Sequence, residues 1–530
     1  MNDNKPTDTT STRPPLAQWV RWTFAVLMLA ATFVRSIDVW RPVDGTMHDP
    51  VRETDVAGIA RNYYEEGMNL FQPRIDWRGD GPGIVESEFP IFPWLGACLY
   101  HVFGYHEELL RLLALMLSLG TCALFFKMAA ERLRPIGAIA AAAIFSLNPM
   151  SVRMGSSIQP EPLMFFAYFA AAYFFLEWCE RQRARDYWLA IFMTALAILA
   201  KLPAAHLGLL FACLCFQHFG WRALVRRDVW VFAVISVGLP VAWYAYARSV
   251  WLDYGNSLGM SNEAYLRVST GSFWHTLKTT LPGNAMTEHF WIWTTGGVVL
   301  GLIGLPRVVL DRRQWWLAAW VFALVAYYVV SGRTTSESWA IHYHIVSLPV
   351  AALLIGKATS GIEVRASALL LARDWKSMRA RLTAGACVVG YLVVLVTIFD
   401  QVRHTRWHLQ PNNYWAIYNC AKQFEPHLER DSLIVASGAF EKDQHGLPRA
   451  YNTPYFFFWT HTKGFTLGDS DQNVTKLEEL RARGAKFFVC ERKSLKNAPG
   501  FEDELRTHFR VVSEHEKALL VDLSPRESAG

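Results

Sequence analysis

The chain has 530 residues, of which 52% are hydrophobic and 14% aromatic, but only 18% are charged, with a formal net charge of +6. A soluble domain carries about a quarter charged residues, so this balance points towards a membrane protein rather than an ordinary soluble enzyme. The basic residues lie between apolar runs rather than on one face, which excludes a nucleic-acid binder, and eight cysteines without a CxxC pair exclude zinc and thioredoxin-type motifs.

A polar segment, residues 1–17 with Lys5 and Arg13, precedes the first apolar run. A helix crossing a bilayer needs about 20 mostly apolar residues, and on that criterion about eleven spans are predicted. They cover 18–36, 108–130, 135–151, 161–179, 187–201, 203–219, 229–247, 290–309, 315–331, 343–358 and 383–400. With so many spans following, the first reads as an uncleaved anchor rather than a signal peptide.

Basic clusters follow alternate spans. They are Lys127, Arg132 and Arg134; Arg181, Arg183 and Arg185; Arg222, Arg226 and Arg227; Arg307, Arg312 and Arg313; and Arg365, Arg373, Lys376, Arg379 and Arg381. All fall on one side, which the positive-inside rule makes cytoplasmic. The first outer loop (37–107), the 248–289 loop and everything after Asp400 are then expected outside.

The first outer loop is dense in carboxylates. It runs from Met47-His48-Asp49 through Arg52, Glu53 and Asp55 to Glu86-Ser87-Glu88. Val56, Ile59, Ala60 and Tyr63 recur at helical spacing, so 55–64 reads as a short amphipathic helix. Glu53-Thr54-Asp55 sits at its N-terminus, where capping alone would account for such residues. After Glu88, Pro90 and Pro93 break up an aromatic segment suited to the membrane interface.

Further on, two readings stand for each candidate. Lys201 at a span boundary is either a snorkelling anchor or a counter-charge for a phosphate. Glu161 between prolines is either a helix cap or a site residue. His342 and His344 are either interfacial polar groups or ligands for phosphate or sugar. The 248–289 loop, with Arg248, Asp253, Tyr254, Glu263 and Arg267, has the length of a cover over a cavity without specifying chemistry.

Beyond residue 400 the chain is no longer membrane-like. Ser432–Ala436 and Lys486–Cys490 read as buried strands, Val474–Arg483 as a helix between them, and Phe509–Leu523 as two more strand-like runs. This predicts a small α/β domain over 401–530. Cys420 and Cys490 lie in it and would be able to pair in an oxidising compartment, whereas Cys98, Cys122, Cys179, Cys213, Cys215 and Cys387 read as packing residues in or beside spans.

Taken in order, these motifs resemble the GT-C superfamily of polytopic glycosyltransferases, within it the protein O-mannosyltransferase-like and aminoarabinose transferase-like branch. Glu53 and Asp55 precede Ile59-Ala60-Arg61 as in the branch's acidic motif, with Arg52 at the usual Asp position. Glu88-Phe89-Pro90-Ile91 matches its Glu-Lys-Pro-Pro-Leu-like segment, Phe89 replacing the lysine. Asn148-Pro149, Gln159-Pro160-Glu161-Pro162-Leu163, Leu199-Ala200-Lys201-Leu202-Pro203 and Trp339-Ala340-Ile341-His342-Tyr343-His344 follow in the family's sequence of landmarks.

The resemblance implies a polytopic α-helical membrane protein of GT-C type, with a transmembrane domain over 18–400 and a small C-terminal α/β domain. It implies sugar transfer from a polyprenyl-phosphate donor to a glycan, lipid or protein acceptor, in a bacterial inner (plasma) membrane, with site and tail outside the cytoplasm. It makes Asp55, Glu53 and Glu88 the candidate catalytic residues, and Glu161, Lys201, Arg52, Arg61, His342 and His344 the candidate substrate-binding residues. Glu88 and Glu161 would suit magnesium or manganese, although no metal-ligand pattern is present. The rival reading is a transporter or flippase of lipid-linked saccharides. That class places paired charges across two pseudo-symmetric halves, whereas here the acids concentrate in outer loops.

Overall fold

The computed structural model describes residues 17–45, 50–258, 273–337, 340–372, 377–408, 414–439, 453–468 and 470–524. Lys5, Arg13, Met47, His48, Asp49, Glu263, Arg267, Trp339, Arg373 and Lys376 lie outside them. Every predicted span falls on a helix. Among the described residues, eight helical stretches are long and apolar enough to cross a bilayer. They are Glu108–Arg132, Glu161–Arg181, Leu202–Val225, Arg227–Tyr254, Leu277–Leu310, Arg312–Thr335, Ile341–Ala372 and Met378–Arg406.

The other three predicted spans fall on α1 (Gln18–Ser36), α5 (Pro135–Leu147) and α8 (Ala184–Ala200). The predicted span 135–151 is two helices. The Asn148 side chain accepts from the N–H groups of Met150 and Ser151 and starts α6 (Pro149–Met154). The 13 residues left in α5 rise about 20 Å, short of the roughly 30 Å apolar core. Arg35 of α1 joins this break to its neighbours. It donates to Ser118 Oγ of α4 (Glu108–Arg132) at 2.9 Å, to the Ser146 carbonyl at 2.8 Å and to Ser151 Oγ at 2.7 Å. A Cβ at Gly155 would lie 2.7 Å from the Arg35 Nε, so the glycine gives the guanidinium its room.

α7 (Glu161–Arg181) and α8 are joined by Gln182 and Arg183, Gln182 taking a left-handed conformation that reverses the chain. This tight antiparallel pair brings the start of α7 and the end of α8 to one level. Aromatic contacts fill the surrounding core, among them the stacked pairs Phe125–Phe145 at 4.0 Å and Phe175–Phe211 at 4.1 Å.

In the first outer loop, α2 (Pro50–Glu66) is longer than the predicted helix, and its buried residues include Glu53, Asp55, Arg61 and Asn62 as well as Val56, Ile59, Ala60 and Tyr63. It is enclosed on all sides rather than amphipathic. The interface segment becomes α3 (Ile91–Phe103), beginning after Pro90.

The tail is a five-stranded sheet in the order β2-β1-β3-β5-β4. Its strands are β1 (Leu433–Ala439), β2 (Lys463–Gly468), β3 (Phe487–Glu491), β4 (Arg510–Glu514) and β5 (Ala518–Asp522). β1 runs parallel to β2 and β3, while β5 is antiparallel to β3 and β4. β2 and the helix Pro454–Thr460 were not predicted. Cys420 and Cys490 are both buried free thiols. The outer loop covers the β2 edge: Gly464 N–H donates to the Asp76 carbonyl at 3.0 Å, and Gly79 N–H to the Gly464 carbonyl at 2.6 Å. Gly464 has φ +144°, and a Cβ there would stand 1.9 Å from the Ile434 carbonyl oxygen, so only glycine fits.

Candidate active site

The α7–α8 pair creates the centre of the site. Glu161 is the first residue of α7, where the helix dipole favours a carboxylate, and Lys201 follows the end of α8, where it favours a cation. Glu161 is not a side-chain cap. Its Oε1 accepts instead from Lys201 Nζ across the two helices. Lys201 is 1% exposed, which overturns the snorkelling reading, since an anchor needs its ammonium in water or among headgroups.

The segment around Glu88 crosses directly above. Phe89 N–H donates to the Leu199 carbonyl at 3.0 Å, and the Trp243 indole of α10 (Arg227–Tyr254) donates to the Ser87 carbonyl at 3.2 Å. Glu88 Oε1 thereby comes to 3.6 Å from Lys201 Nζ, and Oε2 to 3.7 Å from Arg52 Nη2 of α2. His342, on a short turn over Ile341–Ser347, brings Nε2 to 3.5 Å from Glu161 Oε1. The neighbouring Tyr343 ring lies 5.1 Å from the Lys201 ammonium. Burial disfavours the charged form of Arg52, yet Glu88 and Glu161 hold its guanidinium above its ordinary range.

Two carboxylates, an ammonium and a guanidinium thus face one another in a mostly dry setting. Glu161 Oε2 is buried without a hydrogen-bond partner, a donor deficit of the kind a native interior rarely leaves unfilled. Among the described residues no three His, Cys, Asp or Glu side chains come together in a metal-holding group.

Of the other candidates, Asp55 borders this group, its charge acting on Arg52, and the rest sit elsewhere. Glu53 is fully buried in a two-pronged pair with Arg111 of α4, at 3.0 Å for each oxygen, and also accepts the Ile158 N–H at 2.8 Å. Asp55, one turn beyond Arg52 on α2, accepts from the Trp77 indole at 2.8 Å. Arg61 turns towards the tail, donating to Asp76 Oδ2 at 2.7 Å and to the Phe458 carbonyl at 3.0 Å. His344 is on the far side of the turn from His342, with Nδ1 2.8 Å from Glu288 Oε1 and Nε2 2.9 Å from the Thr335 carbonyl. Sequence reading missed Arg111, Trp77, Tyr343 and Glu288. The one available signal was Arg111 itself, an isolated charge within an apolar run, which by rule is paired.

A sequence model of the dolichyl-phosphate-mannose-protein mannosyltransferase family matches residues 85–245, the stretch that carries Glu88, Glu161 and Lys201. Curated proteins include no match to the sequence. Among solved structures, ArnT from Cupriavidus metallidurans in the apo state is similar, with a TM-score of 0.59 at 16% identity, covering 95% of this chain and 98% of that one. The same protein bound to undecaprenyl phosphate gives 0.57 at 15% identity over the same shares. An Archaeoglobus fulgidus oligosaccharyltransferase in complex with Zn and sulfate gives 0.52 at 12% identity, covering 88% of this chain and 68% of that one. The chain thus shares the fold of ArnT and of the archaeal oligosaccharyltransferase, as its motifs led one to expect.

Proposed function

We propose that the protein is a GT-C glycosyltransferase that moves a sugar from a polyprenyl-phosphate carrier to an acceptor at the outer face of the membrane. The observation that carries this reading is the cluster of buried Lys201 and Glu161 with partly buried Arg52 and Glu88, built from four separate segments of the chain. A donor of this kind keeps its apolar tail in the bilayer and its phosphosugar at the interface. Cations fixed at that depth are what such a head group needs. The presence of undecaprenyl phosphate in the ArnT structure supports the same donor class.

In the reaction, an acceptor hydroxyl oxygen bonds to the anomeric carbon as the bond from that carbon to the phosphate oxygen breaks. The bonding pair leaves with the phosphate, where Lys201 and Arg52 offset the developing charge. The hydroxyl proton passes to Asp55, whose carboxylate is oriented by the Trp77 N–H. Glu88 and Glu161 keep the two cations in place. Glu53 takes no part as a base, because both of its oxygens are committed to Arg111.

Asp55→Asn keeps size and the Trp77 contact while removing the base. Turnover should fall on the order of 10²–10⁴-fold with donor affinity nearly unchanged. Normal turnover would shift the role to Glu88. Since Glu88 and Glu161 are already balanced by Lys201 and Arg52, charge gives no need for magnesium or manganese, and EDTA-treated protein should retain its rate. For orientation, reporters fused after Arg227, Arg313 and Arg379 should read as cytoplasmic, and those at Asp80 and Gly438 as external. An internal signal at Gly438 would remove the tail from the donor's side. Mass spectrometry of lipid-linked sugars in cells with and without the protein tests the function itself: a polyprenyl-phosphate sugar should accumulate in its absence.

A further inference from the structure

α2 is held at both ends of its working length. Towards its start, Glu53 fixes it to Arg111. Eight residues and more further on, it is held by the tail. Arg61, buried to 3% exposure, donates to the Phe458 carbonyl at 3.0 Å, faces His461 Nδ1 at 3.0 Å and stacks over the Phe458 ring at 4.8 Å. Its remaining contact, to Asp76, needs Gly58, where a Cβ would stand 2.9 Å from Asp76 Oδ2. Lys463 of β2 reaches Glu66 at the end of α2 at 2.5 Å.

His461 carries a second, independent sign. It ends the helix Pro454–Thr460 in a left-handed conformation, φ +51°, where glycine would be cheapest. The strained position carries a ring whose Nδ1 accepts from Arg61, since a guanidinium can only donate. Burial, then the nearby Arg61, Lys422 and Arg430, depress the imidazole to about 4, keeping it neutral and able to accept.

We infer that the C-terminal domain is a positioning element of the catalytic centre: through Phe458 and His461 it clamps Arg61, and so sets where α2 presents Arg52 and Asp55. This rests on the transferase reading above, and it makes Arg61 a positioning residue rather than a substrate ligand.

The test uses full-length protein in nanodiscs with His461→Ala and His461→Asn, read by hydrogen exchange and by kinetics with a polyprenyl-phosphate sugar. Asn adopts the left-handed conformation readily and its amide oxygen accepts from Arg61. His461→Ala should speed exchange of α2 amides by about tenfold, the scale of one lost charged hydrogen bond, with α4 and α7 unchanged. It should raise the donor KM by a similar factor, and His461→Asn should restore both. In an Arg52→Ala background, His461→Ala should add nothing to KM, because both act through the same group. Unchanged α2 exchange in His461→Ala would overturn the clamp. Loosened α2 with unaltered KM and kcat would overturn its positioning role. If the parent protein turns over no such donor, the transferase reading fails by itself, and the exchange measurement still decides whether the tail holds α2.

Discussion

Lys201→Met should remove turnover almost entirely while leaving protein in the membrane. The ammonium forms ion pairs with both Glu161 and Glu88, and in the proposed reaction it faces the departing phosphate. Losing one such charge-stabilising donor costs about 10²–10³-fold in rate. A further cost falls on folding, because Glu161 would be left buried without its partner, and breaking a buried pair typically costs about 3–5 kcal/mol. The two effects separate in the double variant Lys201→Met with Glu161→Gln. Neutralising the stranded carboxylate should bring back the yield of folded protein, but not the rate. Recovery of both would mean that the pair is structural and that the phosphate is held elsewhere. Lys201→Arg should keep part of the rate, since charge survives in a bulkier, planar form.

Glu53→Gln should behave in the opposite way. Glu53 and Arg111 are a closed, fully buried pair with both carboxylate oxygens occupied. Removing its charge leaves the Arg111 guanidinium unbalanced, at a cost of about 3–5 kcal/mol. That is a large share of a domain's net stability of about 5–15 kcal/mol, so folded yield and thermal midpoint should drop sharply. Folded molecules should keep their kcat. Thermal unfolding in detergent, together with kcat per folded molecule, checks this. A stable Glu53→Gln protein with a rate lowered by 10² or more would instead make Glu53 the base.

Much of this arrangement was legible in the sequence, and the parts that were not share a cause. Glu88, Glu161 and Lys201 each sit next to prolines at the ends of apolar runs, so their place at a membrane boundary follows from local pattern. Arg52 followed from the resemblance, at the family's Asp position ahead of Ile59-Ala60-Arg61. What one dimension does not contain is the partner. Arg111 and Glu53 are separated by a whole loop and a helix, and no spacing rule joins them. His342 and His344 look equivalent in sequence, yet a tight turn sends them to Glu161 and Glu288 respectively. The break at Asn148 was read through, because Ala-rich α5 and apolar α6 together have the length of a span. In the tail, the strands predicted from apolar runs are present, whereas β2 was missed for its two glycines and the helix Pro454–Thr460 for being buried on every side.

The central claim is that Lys201 and Arg52 serve a phosphate leaving group. Its most direct test is purified protein in proteoliposomes given a polyprenyl-phosphate sugar labelled in both the sugar and the lipid. The account predicts release of free polyprenyl phosphate as sugar appears on an acceptor, with release lost in Lys201→Met. Donor that crosses the bilayer with its sugar still attached, at the same rate in both proteins, would contradict it and make the chain a transporter.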